Sequence, residues 1–198
     1  MHKPQKGVTL IETMIGIVLL GMLVTMAAPS YSTLIRNNQI RTTAEAILNG
    51  LQLARMEAVK RNTLVRFQLV SDLTNSCALS ASGNSWVVSR DVAAGNCASA
   101  PSDTTAPGVI QAWSASQGSA ATSVSASLTG GTDASVVFDA YGTVSAVTLG
   151  SSISQVNVSI TGASAGQFRD LRILVSPGGR VFMCDPAVTS AEDPRKCP

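Results

Sequence analysis

The chain has 198 residues, 13% of them charged and 45% apolar, with a formal net charge of +2. So small a charge gives no global field to draw nucleic acid. The only histidine is His2, so loss of the first residues would leave no material for Ser-His or Cys-His catalysis or for histidine metal ligation.

The N-terminal stretch carries Lys3 and Lys6 and ends at Gly7. About 21 residues follow, Val8 to Ala28, with a single charge at Glu12, and Pro29 closes the run; this is roughly the length of a helix that crosses a bilayer. A secretory signal is cut after its apolar stretch. Here the cut fits only before it, after Gly7, so the apolar segment is expected to stay in the mature chain. Removing residues 1–7 takes His2, Lys3 and Lys6, and the formal charge of +2 falls to zero. Lys3 and Lys6 lie on one side of the run and Arg36 is the first charge beyond Glu12. The positive-inside rule then puts the N-terminus in the cytoplasm and the rest of the chain outside it. A charge within such a segment is costly, and Glu12 therefore suggests a function.

The residues Lys6-Gly7-Val8-Thr9-Leu10-Ile11-Glu12 resemble the class III leader of type IV pilins and type II secretion pseudopilins. The resemblance implies that a prepilin peptidase cleaves between Gly7 and Val8 and methylates the new N-terminus at Val8. It makes Glu12 the fifth mature residue, needed for assembly, and it places Pro29 where these helices commonly carry a helix-breaking proline. Val8 departs from the phenylalanine of most members. The partner for Glu12 would be the Val8 amine of a neighbouring subunit. At about 4 Å and an effective dielectric near 20, such a pair attracts by roughly 4 kcal/mol, enough to favour one register between stacked subunits. The alternative is that Glu12 pairs with its own N-terminus.

Residues 30–61 continue as an amphipathic helix. Leu34, Ile35, Ala44, Ile47, Leu48, Leu51, Ala54, Ala58 and Val59 recur at spacings of three and four, with the charges mostly elsewhere. Joined to the first segment, this predicts one helix of about 54 residues, roughly 80 Å long, half in lipid and half on a domain. Gly16, Gly21, Gly50 and Pro29 mark places where it would bend. Gly16 and Gly21 serve equally well as close-packing positions between helices.

After Asn62 the period becomes alternating. Residues 63–70, 85–90 and 109–115 read as strands, 98–108 as a Pro/Ser/Thr-rich surface loop, and 116–132 as loops around a weak strand. Residues 134–139 and 143–148 read as a hairpin turning at Ala140-Tyr141-Gly142. Residues 155–161, 171–175 and 180–184 complete the set, with a turn at Pro177-Gly178-Gly179 and a polar tail pinned by Cys197. Four cysteines without a C-x-x-C pair, in a compartment outside the cytoplasm, read as two disulfides. Three pairings exist. The local one, Cys77–Cys97 with Cys184–Cys197, is favoured, each loop of about 13 to 20 residues contributing roughly 2–4 kcal/mol.

A long helix followed only by strands predicts an α+β domain in which the helix covers antiparallel sheet. The stretches 53–62 (LARMEAVKRN), 137–143 (VFDAYGT) and 179–186 (GRVFMCDP) are similar to the H-type subgroup of pseudopilins and minor pilins. That resemblance implies the pilin fold, a long N-terminal helix on two small sheets.

A basic cluster remains: Arg169, Arg172, Arg180, Arg195 and Lys196. Some minor pilins of this type bind DNA in natural transformation through a Gly-Arg-x-Arg motif. Gly179-Arg180-Val181-Phe182 keeps the first arginine and has phenylalanine for the second. Phosphate binding depends on the number of cations, so Arg180, Arg172, Arg195 and Lys196 are the residues for DNA contact, and a solvated sheet edge is the favoured reading. Asp139 and Asp170 as a carboxylate pair, and Asn157-Val158-Ser159 as a glycosylation sequon in an interior strand, are likewise set aside.

The expectations are therefore a leader at 1–7, a membrane or filament-core helix at 8–29 and a domain outside the cytoplasm at 30–198. No enzyme activity, cofactor or metal is expected. The resemblance implies a minor pilin that primes or caps a type IV pilus, with an H-type pseudopilin of type II secretion or a DNA-binding minor pilin as alternatives. It also implies its partners: prepilin peptidase, other minor and major pilins, and the inner membrane before assembly at a pilus tip.

Overall fold

The computed structural model of the chain describes residues 7–117, 122–129, 133–145, 152–164 and 166–198; the side chains of 24–30 and 127–129 are outside that description. Helix α1 runs from Leu10–Arg61, 52 residues. The chain divides into two compact units, one up to Arg36 and one from Asn37 to Pro198.

In the first unit the apolar side chains have nothing to cover them. Leu10, Ile11, Met14, Ile15, Ile17, Leu20 and Leu23 are all more than half exposed. Among the described residues no helix is long and apolar enough to cross a membrane. The segment expected to do so, 8–29, ends on residues whose side chains lie outside the description. The helix assignment continues through Pro29, which corrects the expected break. A proline removes one backbone donor, and a long helix can absorb that loss as a bend without ending.

In the second unit the rest of α1 presents a buried stripe. Ile40, Ala44, Ile47, Leu51, Ala54 and Ala58 alternate at steps of four and three and are fully buried, as one face of a packed helix requires. Leu34, Ile35 and Val59, expected on that face, are exposed. The helix ends where Asn62 takes φ 50° and Thr63 donates its N–H to Ala58 O at 3.2 Å, a left-handed cap that asparagine tolerates.

Eight strands follow: β1 (Val65–Val70), β2 (Ser85–Ser89), β3 (Val109–Trp113), β4 (Thr122–Thr129), β5 (Ser135–Phe138), β6 (Ser152–Ile160), β7 (Leu171–Val175) and β8 (Val181–Cys184). They form two four-stranded sheets, in the orders β3-β2-β1-β5 and β4-β6-β7-β8, with every neighbouring pair antiparallel. Both sheets deliver side chains to one core under α1. Phe67, Leu69, Trp86, Val136 and Phe138 come from the first sheet, and Val124, Val156, Val158 and Ile173 from the second. Each large side chain so buried is worth roughly 1.5–3 kcal/mol. This is an α+β fold, a long N-terminal helix on antiparallel sheets.

A second, smaller core forms on the other face of β1, from Val70, Val87, Ala93 and Val109 around the disulfide Cys77–Cys97. Gln68 is buried there. Its amide donates to Ser89 Oγ at 2.7 Å and accepts from Ala93 N–H at 3.0 Å, so Gln68 itself is satisfied and ties down the loop beyond β2. The second disulfide, Cys184–Cys197, folds the tail back, and Asp185 N–H donates to Arg195 O at 2.7 Å beside it.

The weak strand expected within 116–132 is the eight-residue β4. Of the strand expected at 143–148, residues 143–145 pair back with β5: Val144 bridges Phe138, Thr143 O accepts the Asp139 N–H at 3.0 Å and Ser145 N–H donates to Val137 O at 2.8 Å; residues 146–148 lie outside the description. Val144 turns its own N–H the other way, to Pro177 O at 3.0 Å in the β7–β8 turn.

Candidate functional site

The first candidate site is the start of α1. Residues 1–6 lie outside the description, so His2, Lys3 and Lys6 are not placed. Gly7 is exposed, with no neighbouring atom within 4 Å of where a Cβ would stand, and Val8 is 69% exposed. A backbone this bare can enter a peptidase cleft. Thr9 caps the helix: both its Oγ1 (3.3 Å) and its carbonyl O (3.1 Å) accept the N–H of Glu12. Thr9 and Glu12 thus stand at the first and last positions of a Thr-x-x-Glu pattern, a capping signature that the sequence carries and the membrane reading hid.

Glu12 is exposed in the first turn of α1, where a negative charge faces the positive end of the helix dipole. Among the described residues its carboxylate makes no salt bridge. Around it stand the exposed Leu10, Ile11, Ile15 and Val8. An acidic group within an uncovered apolar collar suits burial against another molecule that supplies a cation. The reading that Glu12 pairs with its own amine needs a terminus cut after Gly7, which the described residues do not include.

The second candidate is the basic cluster. Arg169 Nε donates to the buried Asp185 carboxylate at 2.7 Å. Arg195 grips Asp193 through Nε at 3.0 Å and Nη2 at 2.6 Å, and this fork holds the Asp193 carboxyl down at about 2. Both lie, with Arg41, on a cavity of about 410 Å³ that Asn37, Asn38, Leu171 and Met183 also line. Arg41 is bonded in turn to Glu45 at 2.7 Å. Each arginine of the cavity therefore has its own carboxylate, which removes most of its attraction for a phosphate. Arg172 donates to Asn157 Oδ1 at 2.8 Å on the outer face of the second sheet. The strand of the sequon is therefore not wholly interior, and Asn157 is engaged rather than free. Arg180 is exposed and lies over the Phe182 ring, 5.0 Å from its centre, a cation–π contact made by the very phenylalanine that stands where the Gly-Arg-x-Arg motif has arginine. Lys196 is exposed in the tail.

The three stretches singled out from the sequence meet at one point. Arg55 Nε donates to Gly142 O at 3.0 Å. A Cβ on Gly179 would stand 1.8 Å from that same oxygen, and Gly179 has φ 77°, so only glycine fits there. Asp139 builds the turn, accepting the N–H groups of Tyr141 (3.0 Å) and Thr143 (2.9 Å) and the Thr143 hydroxyl (2.7 Å). Those bonds, the hydroxyl foremost, hold its carboxyl below the usual range. Asp170 is pushed the other way, by burial first and then by Asp185. The two carboxylates serve separate elements and form no acid–base pair. Among the described residues no group of three or more His, Cys, Asp or Glu is placed to hold a metal ion.

The profile of the type II transport protein GspH matches residues 43–179, and the prokaryotic N-terminal methylation motif matches residues 2–28. Two crystal structures of the type IV minor pilin FimU of Pseudomonas aeruginosa are similar. One is 14% identical over 72% of this chain and 90% of that chain, with a TM-score of 0.43. The other is 16% identical over 74% and 88%, with a TM-score of 0.46. No curated protein sequence matches the chain.

Proposed function

The chain belongs to the GspH family of type II transport proteins, and on that footing we propose that it is a minor pilin, a structural subunit that primes or caps a type IV pilus. The observation that carries this reading is Glu12: a carboxylate in the first turn of α1, five residues behind the proposed cut after Gly7, inside a collar of exposed apolar side chains. Prepilin peptidase would release residues 1–7 and methylate Val8. The freed Val8 amine of one subunit would then meet Glu12 of the next, and the incoming chain would gain electrostatic energy only in the correct axial register. Before assembly the apolar segment 8–29 would hold the subunit in the inner membrane, N-terminus in the cytoplasm. Its partners would be other minor and major pilins, and its role needs no catalysis or cofactor.

The second reading, an H-type pseudopilin, is favoured by the description of the family itself, a type II transport protein. The DNA-binding reading has less support. Two of its cations, Arg195 and Arg172, are already engaged, and Arg180 and Lys196 are left to meet phosphate.

One experiment addresses role and register together. A deletion strain is complemented with wild type or Glu12→Val at matched membrane levels, and both sheared pili and secreted proteins are measured. Glu12→Val is expected to be cleaved and membrane-held normally, yet to be lost from the filament fraction. Its normal incorporation would reject the register role and favour a tip position, where no subunit stands ahead. Loss of secreted protein with pili intact would make the chain a secretion pseudopilin.

A further inference from the structure

Both tryptophans of the chain stand in one groove, between α1 and the edge of the first sheet. The register of β2 with β3 pairs Trp86 with Trp113, and the indoles stack, 6.4 Å between centres with 13° between planes. Gly50 lets the inner ring reach the helix: a Cβ there would come within 2.8 Å of Phe67 and 3.0 Å of Trp86. The cavity that results is about 530 Å³, within the range that takes a small organic ligand.

The walls of this groove have a definite chemistry. Trp113 is half-buried, and Leu53 and Met56 extend its apolar floor; Thr42, Asn49, Gln52 and Gln111 contribute one hydroxyl and three amides. The only ionisable group in the lining, Glu45, is already bonded to Arg41 at 2.7 Å. Trp86 is 2% exposed, yet its Nε1–H has no hydrogen-bond partner. That nitrogen is closed off from the groove as well as unpaired, a cost of about 1–3 kcal/mol that the core carries.

A polyanion is a poor occupant, because the lining offers no cation. A lipid chain is a poor one too, since it would strand the amides. An extended peptide could pair on one side alone, along the open edge of β3, since the helical wall has its own backbone bonds internally satisfied; it is the rival occupant that the test decides. What suits a flat aromatic face flanked by neutral donors and acceptors is a ring with an apolar face and equatorial hydroxyl and amide substituents. We propose that this groove is a binding site for a neutral N-acetylated glycan, with Trp113 under a sugar ring and Asn49, Gln52 and Gln111 bonding its hydroxyl and acetamido groups.

Because the chain has no other tryptophan, its intrinsic fluorescence reads this groove alone. The full chain, held in a detergent without sugar headgroups, is titrated with N,N′,N″-triacetylchitotriose. A parallel titration uses the disaccharide-repeat glycan released from cell wall by a muramidase. The expected result is a saturable change in emission with either glycan, the tighter one identifying cell wall or another N-acetylated chain as the source. Trp113→Ala and Gln52→Ala should each weaken binding about tenfold, read from Trp86, while Trp113→Phe keeps most of it and Arg180→Ala changes nothing. A thermal melt of each variant separates lost binding from lost folding. Absence of a saturable change with both glycans would overturn the proposal. So would equal binding by folded Trp113→Ala, or saturation by an unglycosylated extended peptide with the glycans inert.

Discussion

Asp170 shows how one side chain can be held against its own chemistry. It is half-buried, and burial together with the nearby Asp185 carboxylate raises its pKa. A raised carboxyl binds its proton more tightly in the folded than in the unfolded chain, so stability falls as pH rises from about 4 through the raised value. Asp170→Asn should therefore raise the melting temperature at pH 7, with the gain shrinking toward zero below about pH 4. An equal gain at every pH would assign the effect to packing instead of charge. Asp139 and Asp193 are shifted the opposite way by hydrogen bonds. What they contribute is present at neutral pH and is lost as pH falls through their lowered values; both lie at the surface, where such contributions are small.

Among the elements, the tail depends on a covalent tie. Cys184 and Cys197, 13 residues apart, hold a segment whose other long-range attachments are few and short. Replacing both by serine should lower stability by about 2–4 kcal/mol in urea unfolding. An unchanged midpoint would show that the Asp185–Arg195 backbone bond and the Arg169–Asp185 pair suffice. Most of the elements were legible in the sequence because their periods are strong: the stripe Ile40 to Ala58, and the β-branched alternation of β1, β6 and β7. Strand β4 was faint because Ser, Ala and Thr carry little hydrophobic contrast, and it is held by its eight-residue register with β6. The arm after Tyr141 was legible as far as it is described, because glycine closes the turn and Thr143 and Ser145 bond back to Asp139 and Val137. At the start of α1 the sequence marks Gly7 and Glu12 as candidates, while Thr9 was read only as part of an apolar run and its capping of the helix was missed. The tryptophan groove was not legible at all. Trp86 and Trp113 are distant in sequence, and only the β2–β3 register and the bare surface of Gly50 bring them together against the helix.

At the scale of the molecule, the apolar material is unequally shared between the two units. Among the described residues up to Arg36 the leucines, isoleucines and methionines are uncovered, while the chain from Ile40 onward supplies both cores and both disulfides. A chain beginning at Ser30 should thus be monomeric without detergent, melt in one cooperative step and lose melting temperature on reduction. Sedimentation and calorimetry check this. Aggregation of that fragment at micromolar concentration would mean that the second unit has an apolar face of its own that the N-terminal segment serves.

The meeting at Gly142 also has a mechanical side. A subunit drawn by its helix bears load along α1, and the buried stripe spreads that load over many side chains at once. The β7–β8 turn is different. It reaches α1 by way of the turn at Gly142, through the Val144–Pro177 backbone bond and the Gly142 oxygen that Arg55 grips and Gly179 abuts. A contact carried by two separate bonds yields before a ladder loaded in parallel, so under tension this corner would let go first while the sheets stay intact. The turn would then act as a fuse, sparing the core when a filament is pulled.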